Sequence, residues 1–155
     1  MNYMKFQQNL LKAADARDGC RHKPFNYFYS ETNDKIYICP QGHYFVIIPK
    51  TQFYLDKEQV FKNIAPLKNM KSFLNPDNSQ VAIDTHTIIA IESKMKLHKF
   101  VIDDESIFVD ERLLKYFELE KSTFKGTNRK SPIFIYEYEE LVGAVLPVNY
   151  KKGDK

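Results

Sequence analysis

The stretch KIYICPQGHYFVIIPK, Lys35 to Lys50, decides how this chain is read. Its two flanks alternate and then run apolar, as β-strands do. Pro40, Gln41, Gly42 and His43 interrupt the middle. Two explanations fit. One is a tight hairpin turn. The other is a backbone shape that carries a binding site. Gly42 marks a backbone angle that a side chain would strain, since nothing else in an apolar run calls for glycine. His43 then either stabilises the turn through a local backbone partner or points into a groove.

Outward from this stretch, Phe25 to Tyr29 reads as a strand, Glu31 to Asp34 as a turn and Lys35 to Cys39 as its partner, with His43 to Ile48 a further strand. Upstream, Met4 to Asp18 has the spacing of a helix. Phe6, Leu10, Leu11 and Ala14 form its apolar stripe, Gln7, Lys12, Asp15 and Arg17 its other face, and Gly19 its stop. Downstream, Asp56 can cap a short helix that Pro66 ends. Ser79 to Ser93 reads as one or two strands, and His98 to Val109 as two strands around a turn at Asp103 to Ser106. A second helix is expected from Asp110 to Glu118, with Leu113, Leu114 and Phe117 as its stripe. Lys121 to Pro132 then reads as a basic loop, followed by two closing strands and a solvated tail. Helices followed by strands that pair with near neighbours imply an α+β fold.

A chain of 155 residues has the usual size of one domain and needs no disulfide or metal to bury a core. With 43% hydrophobic and 28% charged residues, a globular protein is expected and disorder is not. The net charge of +3 is too small to mark a nucleic-acid binder by itself. The start MNYMKFQQNL lacks an apolar signal core, and no apolar run reaches membrane-spanning length. Two cysteines, Cys20 and Cys39, make no disulfide framework. The expectation is a soluble cytoplasmic protein with no membrane partner. Abundant Lys, Asn, Ile and Tyr suggest an AT-rich coding sequence, as in a low-GC bacterium or its phage.

Candidate chemistry is sparse. Cys20, His22, Cys39 and His43 can be arranged as zinc ligands, but Cys20 and His22 stand too close for common structural sites, and a buried strand residue explains Cys39. His43, His86 and His98 could serve as bases, yet no nucleophile motif surrounds them. Phosphate-binding glycine loops are absent. The carboxylates between Asp103 and Glu111 fit a hairpin turn and a helix start. No catalytic residue, cofactor or metal is expected. Basic residues gather on or after each helix: Lys12, Arg17, Arg21 and Lys23, then Lys115, Lys121, Lys125, Arg129 and Lys130. Solvated faces explain them, and so does a phosphate-contacting surface.

The quoted stretch also resembles the strand, Thr-Asp-Gly-His-Arg-Leu, strand segment of bacterial DNA polymerase sliding clamps. Gly42 and His43 match its Gly-His core; Pro40 and Gln41 replace Thr and Asp, and Tyr44 and Phe45 replace Arg and Leu. IFVDERLLKYFEL resembles the family's strand and helix. SPIFIYEYEELVGAVLPVNY resembles its closing hairpin, with Ser131-Pro132 at the start and Leu146, Pro147 and Val148 in place of Met-Pro-Met. Thr51 to Ser93 matches poorly.

The resemblance implies a clamp-like domain over residues 1–150, two helices packed on curved antiparallel sheets, and a flexible tail at 151–155. It implies a non-enzymatic protein acting in DNA replication. Lys12, Arg17, Arg21, Arg112 and Lys115 would face double-stranded DNA. Gly42, His43, Tyr44 and Phe45 would form one wall of a peptide groove, with Leu146, Pro147 and Val148 the other, for replication or host proteins carrying short clamp-binding peptides. Bacterial clamps close a ring of six such domains, so one domain per chain would need a homo-oligomer. The alternative is a phage-type interaction module that mimics a clamp domain to engage or inhibit a host protein.

Overall fold

The structure is a computed structural model that describes residues 1–19, 28–40, 43–61, 75–91 and 94–150, and of 14–19 the backbone alone. It divides into two compact units, Met1–Leu74 and Asn75–Lys155. Two α-helices and nine strands are described, and every strand pairing given within a unit is antiparallel, so the class is α+β.

In the first unit, helix α1 (Tyr3–Gly19) precedes a meander of β1 (Phe28–Glu31), β2 (Lys35–Cys39) and β3 (Tyr44–Pro49). Lys35 pairs with Pro49 and Ile38 with Val46, so the interruption quoted above sits in the β2–β3 hairpin connection. Gln41 and Gly42 themselves lie outside the described residues. Ile36, Ile38, Val46 and Ile48 are fully buried and form the strand core. The Tyr29 and Phe61 rings stack at 4.0 Å. Helix α2 (Lys57–Val60) is capped by Asp56, whose side chain accepts from the Glu58 amide, as the sequence implied; Pro66 lies outside the described residues.

Phe6 and Leu10 are buried as their spacing requires. Gln7, expected on the polar face, is 2% exposed. Its Nε2 donates to the carbonyls of Tyr3 and Gln52 at 3.2 and 2.9 Å, and its Oε1 accepts from the Tyr54 amide at 2.8 Å. A buried amide is tolerated because donor and acceptor are both satisfied.

The second unit has six strands in the order β9-β8-β7-β4-β5-β6: β4 (Gln80–Ala90), β5 (Lys96–Ile102), β6 (Glu105–Asp110), β7 (Ser122–Gly126), β8 (Ile133–Glu137) and β9 (Glu140–Val145). Strand β4 gives Gln80 to Ala82 to β7 and pairs with β5 from Ile83 to Ala90, with a bulge between Asp84 and Thr87. Two hairpins close with two-residue turns, Asp103–Asp104 and Tyr138–Glu139. All four residues have positive φ, the geometry of turns that match strand twist.

Two expectations need correction here. Asp110 to Glu118 is not an α-helix. Glu111–Leu114 forms a 3-10 turn capped by Asp110, and a second one follows at Leu119–Lys121. Leu114, Tyr116 and Phe117 are buried while Leu113 is only half-buried, a spacing that a helical stripe does not produce. The Phe117 amide donates to the Leu114 carbonyl at 3.0 Å, an i to i−3 bond that belongs to a 3-10 turn and not to an α-helical ladder. Nor is Lys121 to Pro132 only a loop. Ser122–Gly126 is a strand in which Phe124 and Gly126 turn inward and Thr123 and Lys125 outward.

Candidate functional site

The 3-10 turn after β6 builds the most site-like feature of the second unit. Leu97 pairs with Asp110, so the β4–β5 connection and the turn lie at the same end of the sheet. That connection is closed by the Ile91 amide donating to the Met95 carbonyl at 2.9 Å, with Lys94 in the left-handed region at φ 66°. Between connection and turn lies an open groove of about 500 Å³. Leu114, Phe117 and Leu119 give it an apolar floor; Lys94, Lys96, Arg112 and Lys115 stand around it with Glu111. Among its described lining residues four cations stand against one carboxylate, which makes it an anion-attracting concavity.

These cations differ in availability. Arg112 is held by Asp110. Its Nε donates to both carboxylate oxygens at 3.1 Å, and Nη2 to Oδ2 at 2.7 Å. The Asp110 carboxylate pushes the Arg112 pKa further up, so its charge is fixed. The Lys115 ammonium lies 4.9 Å from the centre of the Tyr116 ring. Lys94, Lys96 and Lys115 have no carboxylate within ion-pair distance among the described residues.

The groove therefore unites Arg112 and Lys115, two of the five residues expected at DNA, with Lys94 and Lys96. Lys12 is exposed on α1 in the first unit. The Arg17 side chain and all of Arg21 lie outside the described residues. Of the expected peptide walls, Gly42 is not described, His43 is exposed, Tyr44 is buried and Phe45 half-buried. Leu146, Pro147 and Val148 follow β9, half-buried, and the Val148 amide donates to the Phe108 carbonyl at 2.8 Å. Cys20 and His22 of the possible zinc set are not described; Cys39 is buried and His43 exposed. Among the described residues no group of three His, Cys, Asp or Glu is placed to hold a metal, and no helix is long and apolar enough to cross a membrane.

Sequence reasoning missed Lys94 and Lys96. The Lys-x-Lys spacing ahead of β5 was the available signal, but solvated lysines look the same. It also left unpaired a buried couple, Asp84 and His98, whose Oδ1 and Nε2 lie 2.5 Å apart. The His86 amide donates to the same Oδ1 at 2.8 Å and fixes the bulge, with His86 at φ 55°.

In comparisons with protein-family models, curated proteins and solved structures, nothing matches this chain.

Proposed function

We propose that this chain is a non-enzymatic, sliding-clamp-like binding protein that takes a short peptide segment of a replication or host protein in the cationic groove of its second unit. One observation carries the reading: the half-buried apolar side chain of Leu119, with the buried Leu114 and Phe117, shares a groove with four cations. A peptide can satisfy both surfaces at once. The clamp-like part is supported by element order. A helix precedes a three-strand meander in the first unit, and a helical turn precedes one in the second.

A ring of copies around double-stranded DNA is the second reading, favoured by Arg112 and Lys115 sharing their rim with two more lysines. Against it, Arg112 is already spent on Asp110.

The test pans the full-length protein and its Leu119→Asp variant against a displayed random-peptide library. Peptides enriched on the first and lost on the second support the reading. No enrichment, or equal enrichment on both, overturns it. Solution mass and a salt titration with duplex DNA decide the second reading. A hexamer whose DNA affinity falls steeply with salt supports the ring. A monomer without binding at low salt rejects it.

A further inference from the structure

We propose that the segment held in this groove is acidic, with carboxylates flanking one buried apolar side chain. The proposal rests on the peptide reading above and names the chemistry of the peptide. Lys94, Lys96 and Lys115 bring three positive charges to one rim, with no carboxylate at ion-pair distance among the described residues. Like charges gathered without partners repel, and a ligand that supplies carboxylates relieves the repulsion. Among the described residues lining the groove, Glu111 is the one acid.

The floor sets the second requirement. Leu119 is half-buried and is the apolar side chain of the groove with surface open to a ligand, while Leu114 and Phe117 are 2% and 6% exposed. The Phe117 ring presents no open face on which a nucleobase could stack. A phosphate backbone would satisfy the lysines but leave the exposed apolar surface of Leu119 uncovered. A peptide with Leu, Ile or Phe between Asp or Glu residues fills the floor and pairs the rim together. The volume of about 500 Å³ lies in the range of sites that hold a few side chains.

The experiment measures anisotropy of labelled peptides built on whichever apolar core the displayed library enriches. One has Asp and Glu flanks, one Asn and Gln, one Lys. The acidic peptide is expected to bind best, with the amide version about tenfold weaker because several partly exposed ion pairs are lost. Lys96→Glu combined with Lys115→Glu, both at exposed positions, should reverse the order in favour of the Lys-flanked peptide with an unchanged melting temperature. Equal affinity for acidic and amide peptides, or no reversal in the double variant, overturns the acidic chemistry and leaves the peptide groove standing. An absence of any enriched core overturns the groove itself. Displacement of the acidic peptide by a short DNA duplex assigns the rim to phosphate and also overturns the proposal.

Discussion

The Asp84 carboxylate and the His98 imidazole meet inside the second unit, each with a side chain more than nine-tenths buried. Among the described residues the other ring nitrogen, Nδ1, and the remaining carboxylate oxygen, Oδ2, are buried without hydrogen-bond partners, though His86 Nδ1 stands 3.5 Å from Oδ2. Asp84→Ala would strip the imidazole of its Nε2 partner and release the His86 amide. The expected loss is about 3 kcal/mol, read as a lower denaturation midpoint at constant slope. Asp84→Asn, which can still accept a hydrogen bond, should cost less. Equal stability of the alanine variant would show that the pair adds nothing to the fold.

Gln7 ties α1 to the segment before α2. Leucine there would keep the volume but leave the Tyr54 amide and the Gln52 carbonyl unpaired. A loss of about 2 kcal/mol is expected for Gln7→Leu. Thermal melts of the two proteins decide it.

Glu139 closes a two-residue turn at φ 65°, where a side chain is strained. Glu139→Gly should therefore stabilise the protein, by about 0.5–1 kcal/mol. A lower melting temperature would mean that the glutamate side chain matters more than its backbone angle.

How much was legible follows from what each signal depends on. The β2–β3 and β5–β6 hairpins could be read because strand alternation and turn residues are local. The stretch after Asp110 misled because Leu113, Leu114 and Phe117 sit at helical spacing, whereas Glu111–Leu114 and Leu119–Lys121 form two separate 3-10 turns. Lys121 and Lys125 disguised β7 as a loop, since its outward positions are the only ones bearing charge. Lys94 and Lys96 join Arg112 and Lys115 only through the β5–β6 register, a relationship that no local pattern records. Asp84 and His98 are likewise brought together by β4 lying against β5.

At Gly126 a β-carbon would stand 2.5 Å from Ile102 Cδ1 and 3.1 Å from Ile133 Cδ1. Both isoleucines are buried and have nowhere to go. Gly126→Ala is expected to cost about 1–3 kcal/mol by overpacking. Ile102→Val in the same chain should recover part of it, measured by chemical denaturation.

Glu31 receives ion pairs from Lys50 and Lys57 at 3.0 and 3.1 Å. The Lys50 contact, joined by Lys57, holds its carboxyl below the ordinary glutamate value. A carboxyl lowered in the folded state adds stability that is present above the unfolded value, about 4.3, and is lost as pH falls through the lower folded value. Glu31→Gln should remove that part of the acid dependence and lower stability by a constant amount from about pH 5 upward, so that the two proteins converge only in acid.

Strand β4 is shared, and this bears on how the second unit comes apart. Its first residues complete the ladder of β7, and the rest complete that of β5. Freeing the whole strand strips a neighbour from both, whereas its short first stretch can leave β7 while the rest stays on β5. Amide hydrogens on β7 that face β4 should then exchange with deuterium through a smaller opening, with a lower free energy, than those on β5 that face β4.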